Sequence, residues 1–438
     1  MRIYPSIGIQ APDLFIPNNE INMSKWAVVA CDQFTSEPEY WEEVKKQTEN
    51  YPSTYHLILP EAYLGKEIGQ THLARIRPLM AEYVKSSVFR SVEGFIYVER
   101  ETVSGIRKGL VAALDLEKYD YNPQSTSMIR ATEGTIVDRL PPRIKIRENA
   151  LLEIPHILVL IDDPELSVIK PVSRETENLD KLYDFDLIQN GGHIRGYLVN
   201  DQQVEDRMIS ALENLANQET QKNKYGIDRS PLLYAVGDGN HSLATAKSIW
   251  NKLKGSVNQN HPARFAMVEL VNIHDPSIVF EPIHRLLKNI HFDFFSEMDS
   301  FFQRQIKITP INDYKKLVNE IQAHNGNTQK FGLISNKSLI IVELRSPIHT
   351  LAVGNVQKFL DDLLDKNDGL EIDYIHGDEA ILQLGSQPEA SGIVLPSMDK
   401  FKLFESVIKD GPLPRKTFSM GEANEKRYYL ECRKIKEI

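Results

Sequence analysis

Leu232-Leu233-Tyr234-Ala235-Val236-Gly237-Asp238-Gly239-Asn240-His241-Ser242-Leu243 runs from an apolar stretch through a polar turn into a second pattern. Leu232 to Val236 reads as a core strand. From Leu243 onward, Leu243, Ala246, Ile249, Trp250 and Leu253 recur at helical spacing and line one face of a helix with apolar side chains. A strand that feeds a helix through a short turn is an α/β unit. Gly237 and Gly239 permit a sharp turn and close approach of the backbone to a ligand, and Ser242 is placed to cap the helix.

Upstream of this unit, Trp26 to Cys31, Phe95 to Val98, Gly109 to Leu114, Ile157 to Ile161 and Arg195 to Val199 read as strands. Glu39 to Thr48, Lys66 to Lys85 and Glu205 to Gln218 read as helices. Downstream, Phe265 to Val271 and Leu339 to Leu344 are strand patterns, while Ile311 to Ala323, Val356 to Leu364 and Lys400 to Ile408 have helical spacing. The alternation predicts an α/β or α+β, mixed-sheet, multi-domain protein. The expected regions are an N-terminal α/β region over 1–125, a central region holding the polar turn over 126–290, and a C-terminal α+β region over 291–438. Residues 120–149, polar and punctuated by prolines, read as a functional segment or as a loop wrapped on the surface.

The chain has 438 residues, 41% of them hydrophobic, enough for a substantial core. Its 51 basic and 61 acidic side chains give a formal charge of -10, which argues against broad attraction to nucleic acid or an anionic membrane. No window is long and apolar enough to span a bilayer, and Met1-Arg2-Ile3-Tyr4-Pro5 does not open a secretory signal, so a cytoplasmic protein is expected. Cys31 and Cys432, nearly the full chain apart, form no zinc-ligand cluster.

The start of a helix leaves backbone donors unpaired and its field favours an anion. A phosphate can therefore sit on the amides around Gly239 to Leu243, with Asn240, His241 and Ser242 assisting. Asp238 suits magnesium coordination, base chemistry or orientation of His241. The other reading makes Asp238 and Asn240 organisers of the turn, Ser242 a helix cap, and His241 a packing residue. Both stay open on these residues. The segment is neither a Walker A loop nor a Rossmann fingerprint, and it lacks a serine nucleophile elbow.

Several separated motifs, in order, resemble the family named for domain of unknown function 1015. They are Pro5, Ala30 to Phe34, Thr132-Glu133, Asp138-Arg139-Leu140, Leu233 to Ala246, Pro282-Ile283-His284-Arg285 and Pro414-Arg415-Lys416-Thr417-Phe418. The family's central D-G-H-H-R pattern is similar to the phosphate-handling turn of the ParB and sulfiredoxin superfamily. That superfamily includes nucleotide-dependent enzymes and a kinase acting on free serine, so the resemblance implies a ParB/sulfiredoxin-like central region. Asp238, Gly239 and His241 keep the pattern, whereas Asn240 replaces a histidine and Ser242 replaces the arginine. Serine supplies neither the charge nor the rigid donor fork of arginine, so a positive charge must come from elsewhere.

Other residues are candidates to complete a site. His284 can move a proton and Arg285 can hold phosphate or carboxylate, or the two can tether a loop. Arg139 and Glu133 belong to a grouping that reads as a substrate clamp or an ion-pair network, with Glu133 a magnesium ligand or general base if the chain brings it near Asp238. Asp32 lies just beyond a strand end and is a further metal-ligand candidate. Lys416 and Thr417 match the family's late P-P-K-S-T-Y-F segment, which can close over an anionic substrate or dock into the core. The function expected is magnesium-assisted phosphoryl transfer from a nucleotide to a small polar metabolite. The alternatives are a phosphate-ester or nucleotide hydrolase and a non-catalytic metabolite or nucleotide sensor. The expected partner is a small polar or phosphorylated metabolite, with no nucleic acid and no membrane.

Overall fold

Phe265–Asn272 is buried at every position, as an almost unbroken apolar run requires of a strand with neighbours on both edges and packing on both faces. The computed structural model that shows this describes residues 2–35, 37–134, 140–226, 228–323 and 328–436, without the side chains of residues 141 and 142. The fold is mixed α/β, and the chain divides into two compact units, Met1–Val279 with Gly421–Ile438, and Phe280–Met420.

Among the described residues, the first unit is organised on an 11-stranded mixed sheet. Its main path runs Asp180–Asp186, His193–Val199, Phe95–Thr102, Gly105–Asp115, Phe265–Asn272, Leu158–Ile161, Tyr234–Asp238, Ile129–Ala131 and Tyr119–Asp120. Neighbours are antiparallel up to Phe265–Asn272, which then pairs in parallel with Leu158–Ile161, and Leu158–Ile161 pairs antiparallel with Tyr234–Asp238. Because successive strand residues face opposite ways, one strand feeds two cores. Phe95 and Tyr97 join Val159, Val236 and Leu243 on one side, while Ile96 and Val98 join Trp26, Trp41 and Met267 on the other.

The one charged residue of Phe265–Asn272, Glu269, is 3% exposed. Space for it comes from Gly109 on the neighbouring strand, where a Cβ would lie 2.3 Å from Glu269 Oε1. Its charge meets Arg427 from the C-terminal segment, whose Nε donates to Glu269 Oε2 at 2.8 Å. That segment is stitched into the first unit by two short pairings, Tyr428–Tyr429 with Val28–Val29 and Arg433–Lys434 with Leu152–Glu153.

The second unit is an antiparallel sheet in the order Ile306–Ile311, Ser338–Leu344, Gln329–Ser335, Ala390–Val394, Phe280–Lys288 and Glu371–His376. Leu287 and Leu333 enter one core and Leu286 and Ile334 the other, so helices cover both faces.

One sheet takes strands from both the 1–125 and the 126–290 region, and residues from 421 onward return to the first unit. Two expectations are corrected. Trp26 to Cys31 is not one strand: the Asn22 side chain accepts from Lys25 N and closes a helical turn over Met23–Trp26, leaving only Val28–Val29 paired as a strand. Within 120–149, Ile129–Ala131 is a buried strand paired in parallel with Tyr234–Asp238, and Leu140–Arg147 is a helix. No described helix is long and apolar enough to cross a membrane.

Candidate functional site

The strand Tyr234–Asp238 is buried through Val236 and then bulges. Leu158 pairs with Asp238 and Val159 with Val236, so Gly237 is the extra residue and the strand end is re-aimed. Asp238 Oδ1 accepts the N–H of Gly239 at 2.8 Å. Gly239 then takes φ +78°, and a Cβ on it would lie 3.0 Å from Ile157 Cγ1 and 3.1 Å from Ile157 Cα. Gly239→Ala is therefore expected to destabilise the protein by about 1–2 kcal/mol through the left-handed backbone alone, with Ile157 displaced in addition. Denaturant unfolding measures this, and an unchanged midpoint would refute the reading of the turn.

From that left-handed residue the chain enters the helix Asn240–Leu253 directly, with no side-chain cap and no acidic residue in the first turn. Ser242 is consequently not the cap that was expected. It sits inside the first turn, and its Oγ lies 3.2 Å from His156 Nε2. Asn240 is 8% exposed and its Nδ2 donates to the Val236 carbonyl at 3.3 Å, so it braces the turn from below. Thr132 Oγ1 donates to the same carbonyl at 2.5 Å. His241 is half-buried, and its carbonyl accepts from Thr245 Oγ1 at 2.7 Å.

Around this uncapped end the first unit gathers charged groups from distant segments. Lys426 Nζ lies 3.6 Å from Asp238 Oδ2 and the lysine is 8% exposed. Burial opposes ionisation of Asp32, but His156, the Gln33 amide and Lys426 outweigh it and hold its carboxyl below the ordinary aspartate range. Burial pushes Glu61 the other way, above the ordinary glutamate range; the Asp32 charge adds to this, and the ion pair with Arg143 together with His156 offsets only part. Two nearby carboxyls thus have affinities for protons driven apart, the arrangement by which a site separates a base from an acid.

His156 links these groups to the helix. Its Nδ1 lies 3.0 Å from the Tyr429 hydroxyl, which accepts from Cys31 N at 3.1 Å. Burial holds the Tyr429 phenol well above its ordinary value, so it keeps its proton. With a neutral imidazole, Tyr429 donates to Nδ1 and the Nε2 proton points to Ser242; a charged ring donates from both nitrogens. Burial also pushes the Cys31 thiol up to about 12, which makes it a poor nucleophile.

Asp238, Ser242 and Asp32 are therefore brought into one constellation, connected through Lys426 and His156. Glu133 is half-buried in the first unit, but among the described residues no three His, Cys, Asp or Glu side chains form a group that could hold a metal. The expected magnesium set of Asp238, Glu133 and Asp32 is thus not assembled, and Asp238 faces an ammonium group instead. Arg139 lies outside the described residues.

His284, Arg285, Lys416 and Thr417 belong to the second unit. His284 is 1% exposed, accepts Leu395 N on Nδ1 at 3.1 Å, and has Nε2 3.2 Å from Asp378 Oδ1. Arg285 is fully buried and donates to Gln357 Oε1 and to the carbonyls of Ile283, Lys416 and Arg415. Those bonds make it a strut for the 414–417 segment. Thr417 Oγ1 turns back to the Pro414 carbonyl at 2.6 Å, and Lys416 is exposed with φ +57°.

His156, Glu61, Arg143, Lys426 and Tyr429 escape a reading of the sequence. His156 offers a weak signal, since it stands between Pro155 and the Ile157 to Ile161 strand pattern, at the strand's entry. Lys426 and Tyr429 offer none, because their place depends on the C-terminal segment crossing to the first unit.

A family model described as "Protein of unknown function (DUF1015)" matches residues 15–363. No curated protein matches the sequence. Among solved structures, a free serine kinase in complex with AMP is 10% identical, with a TM-score of 0.39, covering 74% of this chain and 92% of that one. A conserved hypothetical protein from Pyrococcus furiosus is 13% identical, with a TM-score of 0.34 over 73% of this chain and 90% of that one. SbnI with a C-terminal truncation, from Staphylococcus aureus, is 11% identical, with a TM-score of 0.34 over 71% of this chain and 83% of that one.

Proposed function

The chain belongs to the DUF1015 family, a family of unknown function, and from its own side chains we propose that it transfers a phosphoryl group from a nucleotide to a hydroxyl of a small polar metabolite. The observation that carries this reading is Lys426, set against Asp238 at the uncapped start of the Asn240–Leu253 helix. It supplies the positive charge that Ser242 does not. A helix N-terminus with a buried ammonium near it favours a multiply charged anion, and transferring phosphate is such an anion.

In this reading the field at the start of the Asn240–Leu253 helix and the Ser242 hydroxyl hold the phosphate, and Lys426 neutralises charge that builds on it. Asp32, kept ionised by its surroundings, takes the proton of the acceptor hydroxyl. The acceptor oxygen bonds to phosphorus as the bond to the nucleotide's remaining phosphates breaks, and the electron pair leaves with them. His156 orients Ser242, its Nε2 lying 3.2 Å from the Ser242 hydroxyl. The expected magnesium ligands do not converge among the described residues. A ParB/sulfiredoxin-like character of the turn region belongs to the same reading.

An unbiased screen with nucleotides, divalent ions and pooled polar metabolites, followed by mass spectrometry, tests it. A phosphorylated acceptor formed in step with nucleotide consumption is the expected result. Phosphate release without an acceptor would replace the reading with hydrolysis, and saturable binding without turnover would replace it with a sensor. A folded protein that binds no phosphorylated compound would overturn it.

A further inference from the structure

Arg427 adjoins Lys426 in the chain and is 4% exposed. Its guanidinium spends donors in three directions: Nε to Glu269 Oε2 at 2.8 Å, Nη2 to Glu431 Oε2 at 2.6 Å, and Nη1 to the Pro155 carbonyl at 2.5 Å. Its own carbonyl accepts from Ala30 N at 3.0 Å. Pro155 carries His156, and Ala30 stands two residues before Asp32. One residue therefore ties together the three segments that deliver Asp32, His156 and Lys426.

We propose that Arg427 is the positioning residue of this site, fixing the mutual placement of Asp32, His156 and Lys426 without itself meeting a substrate. Its anchors are rigid. Glu269 lies on the central strand in the space left by Gly109, and Glu431 also accepts the Tyr183 hydroxyl at 2.6 Å. The planar fork of arginine serves both carboxylates and the Pro155 carbonyl together. A lysine keeps the charge as a single point on a flexible stem and gives up that divided reach. The carboxylates would hold its ammonium, so the tether to Pro155 is the bond that goes.

The proposal rests on the phosphoryl-transfer reading only where turnover is measured, so its test has a second arm. Full-length Arg427→Lys is compared with wild type by the imidazole nitrogen resonances of His156 and by steady-state kinetics. Arg264→Lys is the control, because Arg264 pairs with Asp115 in the same unit and touches none of the three segments. Arg427→Lys is expected to shift both His156 nitrogen signals and to lower kcat by about 10²-fold with KM for the nucleotide little changed; Arg264→Lys is expected to move neither. If Arg427→Lys does not fold, Glu431→Gln, which removes one anchor, is expected to shift the same signals in part. His156 signals unchanged in a folded Arg427→Lys or Glu431→Gln protein, or an equal shift in Arg264→Lys, overturns the proposal. The resonance comparison needs no turnover, so it decides the matter even where wild type fails to transfer phosphate.

Discussion

Lys426→Met is expected to slow phosphoryl transfer by about 10²–10³-fold while the protein stays folded. Methionine keeps much of the buried stem of the lysine, so packing is largely preserved. What goes is the charge 3.6 Å from Asp238 Oδ2 and the field that helps hold Asp32 ionised. The carboxyl of Asp32 then rises toward the ordinary range, because one of the charges that oppose its burial is gone. A base with a higher pKa is protonated at a higher pH. The acid limb of the rate profile should therefore move to higher pH in Lys426→Met and stay near its original place in Lys426→Arg. A fully active Lys426→Met enzyme would remove the charge from the mechanism.

Glu153→Gln is expected to cost about 3–5 kcal/mol of stability, measured by denaturant unfolding near neutral pH. Glu153 is 4% exposed; its Oε1 accepts Arg433 Nε at 2.6 Å and Met267 N at 3.0 Å, and Arg147 pairs with its Oε2. The variant leaves Arg433, itself 4% exposed, without its carboxylate. Burial alone would raise the Glu153 carboxyl, but Arg433 and Arg147 bring it below the ordinary glutamate range. With the folded value lower than the unfolded one, the pair stabilises fully above the unfolded value. That contribution is lost as pH falls through the folded value. Wild type should therefore lose its advantage over Glu153→Gln in acid, and a difference that is constant from neutral to strongly acidic pH would contradict the assignment.

The strand, turn and helix around Asp238 are legible in the sequence because their information is local. An apolar run, two glycines and a helical stripe each act within a few residues, and Phe265–Asn272 and Leu158–Ile161 betray themselves by the same continuous burial. Asp180–Asp186 does not, since Asp-Lys-Leu-Tyr-Asp-Phe-Asp is an edge strand whose polar side chains face outward and mimic a loop. Serine is a good cap, so the sequence pattern points to a helix start at Ser242, whereas the left-handed Gly239 begins the helix without a side-chain cap. The candidate site was half legible. Asp238 ends a strand, Asp32 follows one closely and Ser242 lies in the first turn of a helix, which sequence patterns report. In the proposed mechanism Lys426 supplies the cation that Ser242 lacks, and only the return of the C-terminal segment to the first unit brings it near Asp238.

In the proposed mechanism the start of the Asn240–Leu253 helix, with Lys426, holds phosphate. Backbone amide resonances of the full-length protein, followed during titration with ATP, test this. Saturable shifts of Gly239, Asn240, His241 and Ser242 amides, weakened in Lys426→Met, are the predicted result. Amides of that turn that stay in place while ATP binds elsewhere, or while no ATP binds to the folded protein, would contradict it.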